Sequence, residues 1–173
     1  MIDFDRYSTI PIDEDERVAF FYLWNLSGQL VGYQHYRPDS DKQAKNSPRE
    51  GRYYTYVSKQ EDRGHALAVW GLESLRYRND VLFVLEGIFK TVPFHNRNLP
   101  AIATMSNNPK QLRNFLWVLS QSRRIVFIGD NDAGGSTTRS MGYEIHLPPP
   151  HVKDADELTD EEFDAWIEEV LNG

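Results

Sequence analysis

The sequence predicts an α/β protein: a Rossmann-like parallel sheet over residues 79–173, preceded by a smaller α+β subdomain over residues 1–78. Three observations lead there. Val81-Leu82-Phe83-Val84-Leu85 and Ile125-Val126-Phe127-Ile128 are unbroken apolar runs, the pattern of strands buried on both faces. Helical segments alternate with these runs and with a third, Ala101-Ile102-Ala103-Thr104, which is the arrangement of a parallel sheet with right-handed crossovers. Before residue 79, strand-like segments instead follow one another through turns, as in antiparallel pairing.

Taken in order, residues 1–16 carry Pro11 and end in Asp13-Glu14-Asp15-Glu16, and read as an extended arm or cap. Arg17 to Trp24 and Leu30 to Tyr36 are rich in aromatic and β-branched residues. Asn25, Ser27 and Gly28 between them predict a hairpin. Residues 37–51 are polar, contain two prolines and lack periodicity, so a long basic loop is expected. Arg52-Tyr53-Tyr54-Thr55-Tyr56-Val57 predicts a third strand, in which alternation turns at least one tyrosine toward the core. Ala66 to Trp70 is a short apolar run, and Gly71 to Arg78 reads as a short helix.

In the second half, Glu86-Gly87 ends the first apolar strand, and a helical segment broken at Pro93 is expected to follow. Asn108-Pro109 places a proline in the first turn of a helix whose apolar positions are Leu112, Phe115, Leu116 and Leu119. After the strand at 125–128 the pattern predicts a helix from Gly134 to about Met141, and a fourth strand from Tyr143 to Leu147. Pro148-Pro149-Pro150 is a stiff link and Lys153 to Leu158 an acidic loop. Thr159 with Glu162 has capping-box spacing ahead of a helix that buries Phe163, Trp166, Ile167 and Val170.

Composition narrows the function classes. Hydrophobic residues at 40% with 13% aromatics describe a globular chain rather than a disordered one. Without cysteine there is no disulfide, no thiol nucleophile and no Cys-containing zinc site. No apolar run reaches the ~18 residues of a membrane span, and the acidic, polar N-terminus is unlike a signal peptide. The expected location is the cytoplasm. A net charge of −7 argues against gripping nucleic acid by charge alone, but the charge is uneven. Lys42, Lys45, Arg49, Arg52 and Lys59 face one acid, Glu50, between residues 42 and 59; from Lys153 onward nine Asp and Glu face one lysine. This asymmetry fits two differently solvated faces, or a basic lobe facing a polyanion beside an acidic lobe that holds metal.

The chemistry points to the ends of the strands. In parallel sheets ligands bind outside the carboxyl ends of the strands. Glu86 follows the first strand, and Asp130 and Asp132 follow the third with their side chains on the same side of an extended chain. Carboxylates gathered so closely repel, and a hard divalent cation such as Mg²⁺ relieves that repulsion through oxygen ligands. An Asp-x-Asp-x-Gly on its own is commonly just a turn, and Met141 at the twelfth position excludes an EF-hand. Gly134-Gly135 is either a bend or a place where backbone N–H groups meet a phosphate. Asp154, Asp156 and Glu157 form a solvated acidic turn or a further part of the metal site. The five histidines show no ligand spacing.

Val84-Leu85-Glu86-Gly87, Ala103-Thr104-Met105-Ser106 and Asp130-Asn131-Asp132-Ala133-Gly134, in this order, resemble the TOPRIM domain of bacterial-type primases, topoisomerases and several nucleases. Lys153 to Leu158 resembles the further acidic loop of the primase versions. Gly28 to Arg37, Tyr53 to Ser58 and Trp70-Gly71-Leu72 resemble the segments that lead into the DnaG-type primase catalytic core of bacteria and phages. The resemblance implies a DNA primase that makes short RNA primers on single-stranded DNA from nucleoside triphosphates. It implies Mg²⁺ (or Mn²⁺) held by Glu86, Asp130 and Asp132, with Asp154 and Asp156 contributing. It also implies a basic surface in which Arg37 and Lys59 have a place, and Lys42, Lys45 and Arg52 of the basic stretch are expected to steer template or phosphates with them. Where the family often has an acid four residues after the motif glutamate this chain has Lys90, which would lie against phosphates or satisfy a carboxylate. The zinc-binding domain that usually precedes such a core is not in this sequence, so a helicase or a separate zinc-binding template-recognition protein is an expected partner. The alternatives are a TOPRIM nuclease and a non-catalytic nucleic-acid-binding factor.

Overall fold

The computed structural model describes residues 12–13, 17–42, 47–60, 64–65, 67–106, 109–131 and 141–173. The chain divides into two compact units, Met1–Trp70 and Gly71–Gly173.

In the first unit, β1 (Ile12–Asp13), β2 (Val18–Trp24), β3 (Leu30–Tyr36) and β4 (Tyr53–Val57) form one antiparallel sheet in sequence order. Two short strands, β5 (Lys59–Gln60) and β6 (Gly64–His65), pair separately. The β2–β3 hairpin forms as the sequence predicts: the Asn25 carboxamide oxygen accepts from the backbone N–H groups of Ser27 and Gln29, each at 2.9 Å. Alternation along β2 buries Phe21 and Leu23 and leaves Tyr22 and Trp24 exposed. Register pairs Phe20 with His35 and His35 with Tyr54, and likewise Tyr22 with Tyr33 and Tyr33 with Tyr56, so these six aromatic rings share one face. Tyr54 is half-buried against His35, while Tyr53 stacks on Tyr36 and Tyr56 is exposed. His35 is buried; burial first, and then the nearby Arg37 cation, hold its imidazole below the ordinary value.

The second unit holds the parallel sheet, order β10-β9-β7-β8, from β7 (Val81–Leu85), β8 (Ala101–Ala103), β9 (Arg124–Ile128) and β10 (Glu144–His146). Every residue of β7 is buried, as its unbroken apolar run requires. On one face Phe83, Leu85, Val126 and Ile128 join Phe94 of α1 (Ile88–Asn96) and Phe163, Trp166, Ile167 and Val170 of α3 (Asp160–Asn172) in one core. Arg97, just past α1, lies over the Phe163 ring and pairs with Asp160 and Asp164 of α3. α2 (Arg113–Leu119) buries Leu116. Thr159 and Glu162 complete the predicted capping box of α3.

Three local expectations change. Pro93 does not break its helix but sits within α1. The predicted helix after Gly71 is a 3₁₀ turn, Leu72–Arg76, set by Gly71 at φ 89° and by the buried Ser74 hydroxyl. Pro109 leads into another 3₁₀ turn, Lys110–Leu112, before α2 begins. The helix expected from Gly134 to Met141 lies outside the described residues.

Candidate functional site

The strand order settles one question of the site: β7 and β9 are hydrogen-bonded neighbours, so Glu86 and Asp130 lie just past adjacent strand ends at the carboxyl edge of the sheet. The acidic loop is brought to the same edge by Asn131. Its carboxamide nitrogen donates toward the carbonyl oxygens of Pro148 (2.8 Å), Pro149 (3.0 Å) and Val152 (2.9 Å). Its backbone N–H donates to the Lys153 carbonyl at 2.9 Å. The proline-rich link, unable to supply all its own backbone donors, is thus fastened to the end of β9. Ala155, buried in the core, anchors the next residue of the loop, and the Ala155–Glu157 turn packs against α1.

Lys90, on the first turn of α1, bridges two acidic segments. Its ammonium pairs with Asp130 Oδ2 and lies 3.1 Å from Asp154 Oδ1, joining the end of β9 to the acidic loop. All three side chains are about four-fifths withdrawn from solvent. Burial alone would lower the Lys90 pKa, but the two carboxylates beside it, Asp130 and Asp154, outweigh it and raise the ammonium above its usual range. Asp154 Oδ1 is close enough to Lys90 for an ion pair but is not aligned as a hydrogen bond, so it stays a buried acceptor with unused capacity. Asp156 keeps part of its surface in water, yet crowding by the chain raises its carboxyl pKa, helped by the charges of Asp154 and Glu157 and opposed by Lys90.

Other sequence-derived residues are placed as follows. Glu86 is half-buried and forms no ion pair among the described residues. Asp132 and Lys45 lie outside the described residues. Lys42 and Lys59 are exposed. Arg52 turns back into its own loop, donating from Nε to the Ser40 carbonyl at 3.1 Å. Arg37, at the end of β3, donates its backbone N–H to the Arg52 carbonyl at 2.8 Å. Sequence reasoning missed Asn131, which stands in the motif as a spacer between two carboxylates. The available signal was a carboxamide at a strand end, followed downstream by a proline run that needs donors.

Mg²⁺ and Mn²⁺ favour hard oxygen donors, and Asp130 with Asp154 offers carboxylates from two elements, one of them with an unmet buried oxygen. The donor chemistry fits such an ion. Among the described residues no group of three or more His, Asp or Glu side chains is assembled to hold one. No described helix is long and apolar enough to cross a membrane.

No family model matches the sequence, and no curated protein matches it by sequence. Solved structures do match. The primase fragment of the bacteriophage T7 primase-helicase protein aligns at TM-score 0.58 and 15% identity, over 92% of this chain and 65% of that one. The RNA polymerase domain of Mycobacterium tuberculosis primase DnaG aligns at TM-score 0.64 and 16% identity, over 94% and 57%. A DnaG primase catalytic domain bound to single-stranded DNA aligns at TM-score 0.57 and 16% identity, over 88% and 51%. The chain therefore spans between half and two thirds of these three structures. The parallel sheet with its antiparallel companion is the fold of the DnaG-type primase catalytic core.

Proposed function

We propose that the chain is the catalytic core of a DNA primase, joining ribonucleotides on a single-stranded DNA template. The observation that carries this reading is the meeting of Asp130 and Asp154 at the carboxyl edge of a parallel sheet, in a chain with the primase-core fold. Glu86 ends the neighbouring strand and Asp132 follows Asp130 by two residues. Asp130 and Asp154 would hold a divalent cation, with Glu86 and, by its place in the motif, Asp132 as further ligands; such an ion supplies positive charge against the α-phosphate when a primer 3′-hydroxyl displaces pyrophosphate. The chain's own part is to hold these carboxylates at fixed separation: Asn131 fixes the loop, Ala155 anchors it in the core, and Lys90 balances its charge. Glu86 is either a further ligand or a proton relay. Arg37, Lys42 and Lys59, with Lys45 of the same basic stretch of sequence, would steer template or nucleotide, and Arg52 braces the loop that follows β3. A helicase or a separate zinc-binding protein would present the template.

The Lys90 pairing favours a second reading, a non-catalytic nucleic-acid-binding factor in which the ammonium stands where a metal would. One assay separates the two, and a nuclease from both. The protein is incubated with single-stranded DNA, labelled ribonucleotides and Mg²⁺ or Mn²⁺, alongside Glu86→Gln and Asp130→Asn variants. Short RNA products that disappear in both variants support the primase. Shortened DNA without synthesis identifies a nuclease. Absence of both products, with helicase and zinc-domain partners supplied, removes the enzymatic reading.

A further inference from the structure

Lys90 and a divalent cation compete for the same oxygens. The ammonium is shared by Asp130 and Asp154, which come from two different elements, and no other described basic side chain pairs with either carboxylate. It is held in place by backbone as well as by charge. Lys90 sits on α1, whose first turn follows Gly87, and the Thr91 hydroxyl beside it donates to the Gly87 carbonyl at 2.9 Å. The opposing carboxylates are equally fixed, by Asn131 on one side and by the buried Ala155 on the other. A cation coordinated by both carboxylates needs metal–oxygen distances near 2.0–2.1 Å, closer than an ammonium approaches. It would also carry two positive charges into direct contact with a third, in a site most of whose surface is out of water.

We propose that Lys90 is a resident counter-ion which a divalent cation must displace from Asp130 and Asp154 before it can bind. This deepens the metal-dependent reading above and rests on it. The proposal predicts weak binding of metal alone. The displaced ammonium, still tethered to α1 at the same sheet edge, needs a new anion, and the phosphates of a nucleotide are the anion such a site would receive. Metal and nucleotide would then bind together more readily than either does alone, because the phosphates take over the partner that the metal displaces.

The test reads metal binding, not synthesis. Mn²⁺ affinity is measured by electron paramagnetic resonance and calorimetry for the wild-type chain and for Lys90→Met, which keeps the length of the side chain and removes its charge. The expected result is Mn²⁺ binding at least about tenfold tighter in the variant. Equal or weaker binding in the variant overturns the proposal while leaving a metal-dependent primase standing. No binding to either protein overturns the proposal together with the metal part of the functional reading. A second measurement needs no variant. The wild-type chain is treated with an amine-acetylating reagent, with and without Mn²⁺, and modification of Lys90 is compared by mass spectrometry with that of the exposed Lys110. Release of the ammonium predicts a several-fold rise at Lys90 and none at Lys110. An unchanged Lys90 rate at saturating Mn²⁺ overturns the proposal, whether or not primers are made.

Discussion

The Asn131 carboxamide lies 2.9 Å from the carbonyl oxygen of Val152, and through that contact and its neighbours the acidic loop is tied to the end of β9. Replacing it with alanine leaves the carbonyls of Pro148, Pro149 and Val152 without this donor. Asn131→Ala is expected to lower stability by about 2 kcal/mol, measured by urea denaturation. Asn131→Asp, which puts a carboxylate against carbonyl oxygens, is expected to lower it further. Wild-type stability in both variants would show that the loop is held by something else.

Ser74 makes a comparable buried junction. Its hydroxyl lies 2.7 Å from the Gly71 carbonyl and 2.8 Å from that of Ala101, and it accepts from the Ala101 N–H at 3.0 Å. Ser74→Ala strands the Ala101 N–H at the start of β8, at a cost of about 1–3 kcal/mol. A thermal melt shifted by less than a degree would contradict this.

Gly32 is fixed by its neighbour strand. A Cβ there would stand 2.1 Å from the Tyr56 carbonyl oxygen, a backbone atom of β4. Gly32→Ala must push β3 and β4 apart, and a loss of about 2 kcal/mol or more is expected in the first unit. Tyrosine and tryptophan fluorescence during denaturation would report it, since this sheet carries both residues.

The Arg124–Glu144 pair ties β9 to β10 and gives an acid-sensitive contribution to stability. The Arg124 guanidinium, with His146 adding, pulls the Glu144 carboxyl from its usual 4.5 down to about 2. A depressed carboxyl stabilises the fold above its unfolded value and loses that contribution as pH falls through the folded value. Stability should therefore decline between about pH 4.5 and 2, and Glu144→Gln should flatten that part of the profile. Both groups are partly in water, so the effect is expected to be small and to shrink in high salt. A profile identical in the two proteins would rule the pair out as its source.

Much of this architecture could be read from residue patterns because the relevant signals are local. The unbroken apolar run of β7, the Asn25–Gly28 turn and the Thr159/Glu162 spacing each act within a few residues, and each forms where the pattern puts it. Pro93 misled because its helix is decided by packing: Val92 and Phe94 on either side are buried, and that burial outweighs the lost backbone bond. The site was legible as to which strand ends carry acids, but not as to their partners. Lys90 is forty residues from Asp130 in sequence, and only the β7–β9 adjacency brings them together. Asn131 stayed hidden because its task depends on a proline run seventeen or more residues downstream.

The C-terminal helix shares its fate with the candidate site. Phe163, Trp166, Ile167 and Val170 sit in the same core cluster as Ala155, the residue next to Asp154. Detaching α3 would uncover Phe94 and the sheet beneath it and remove the packing that seats the acidic loop. Fraying of this helix and departure of Asp154 from Lys90 are then one cooperative opening event, in which amide exchange along 160–172 reports how often the sheet edge comes apart. The helix that follows the acidic loop directly in the chain would thus act as the clock of the site, setting the lifetime of its closed charge arrangement.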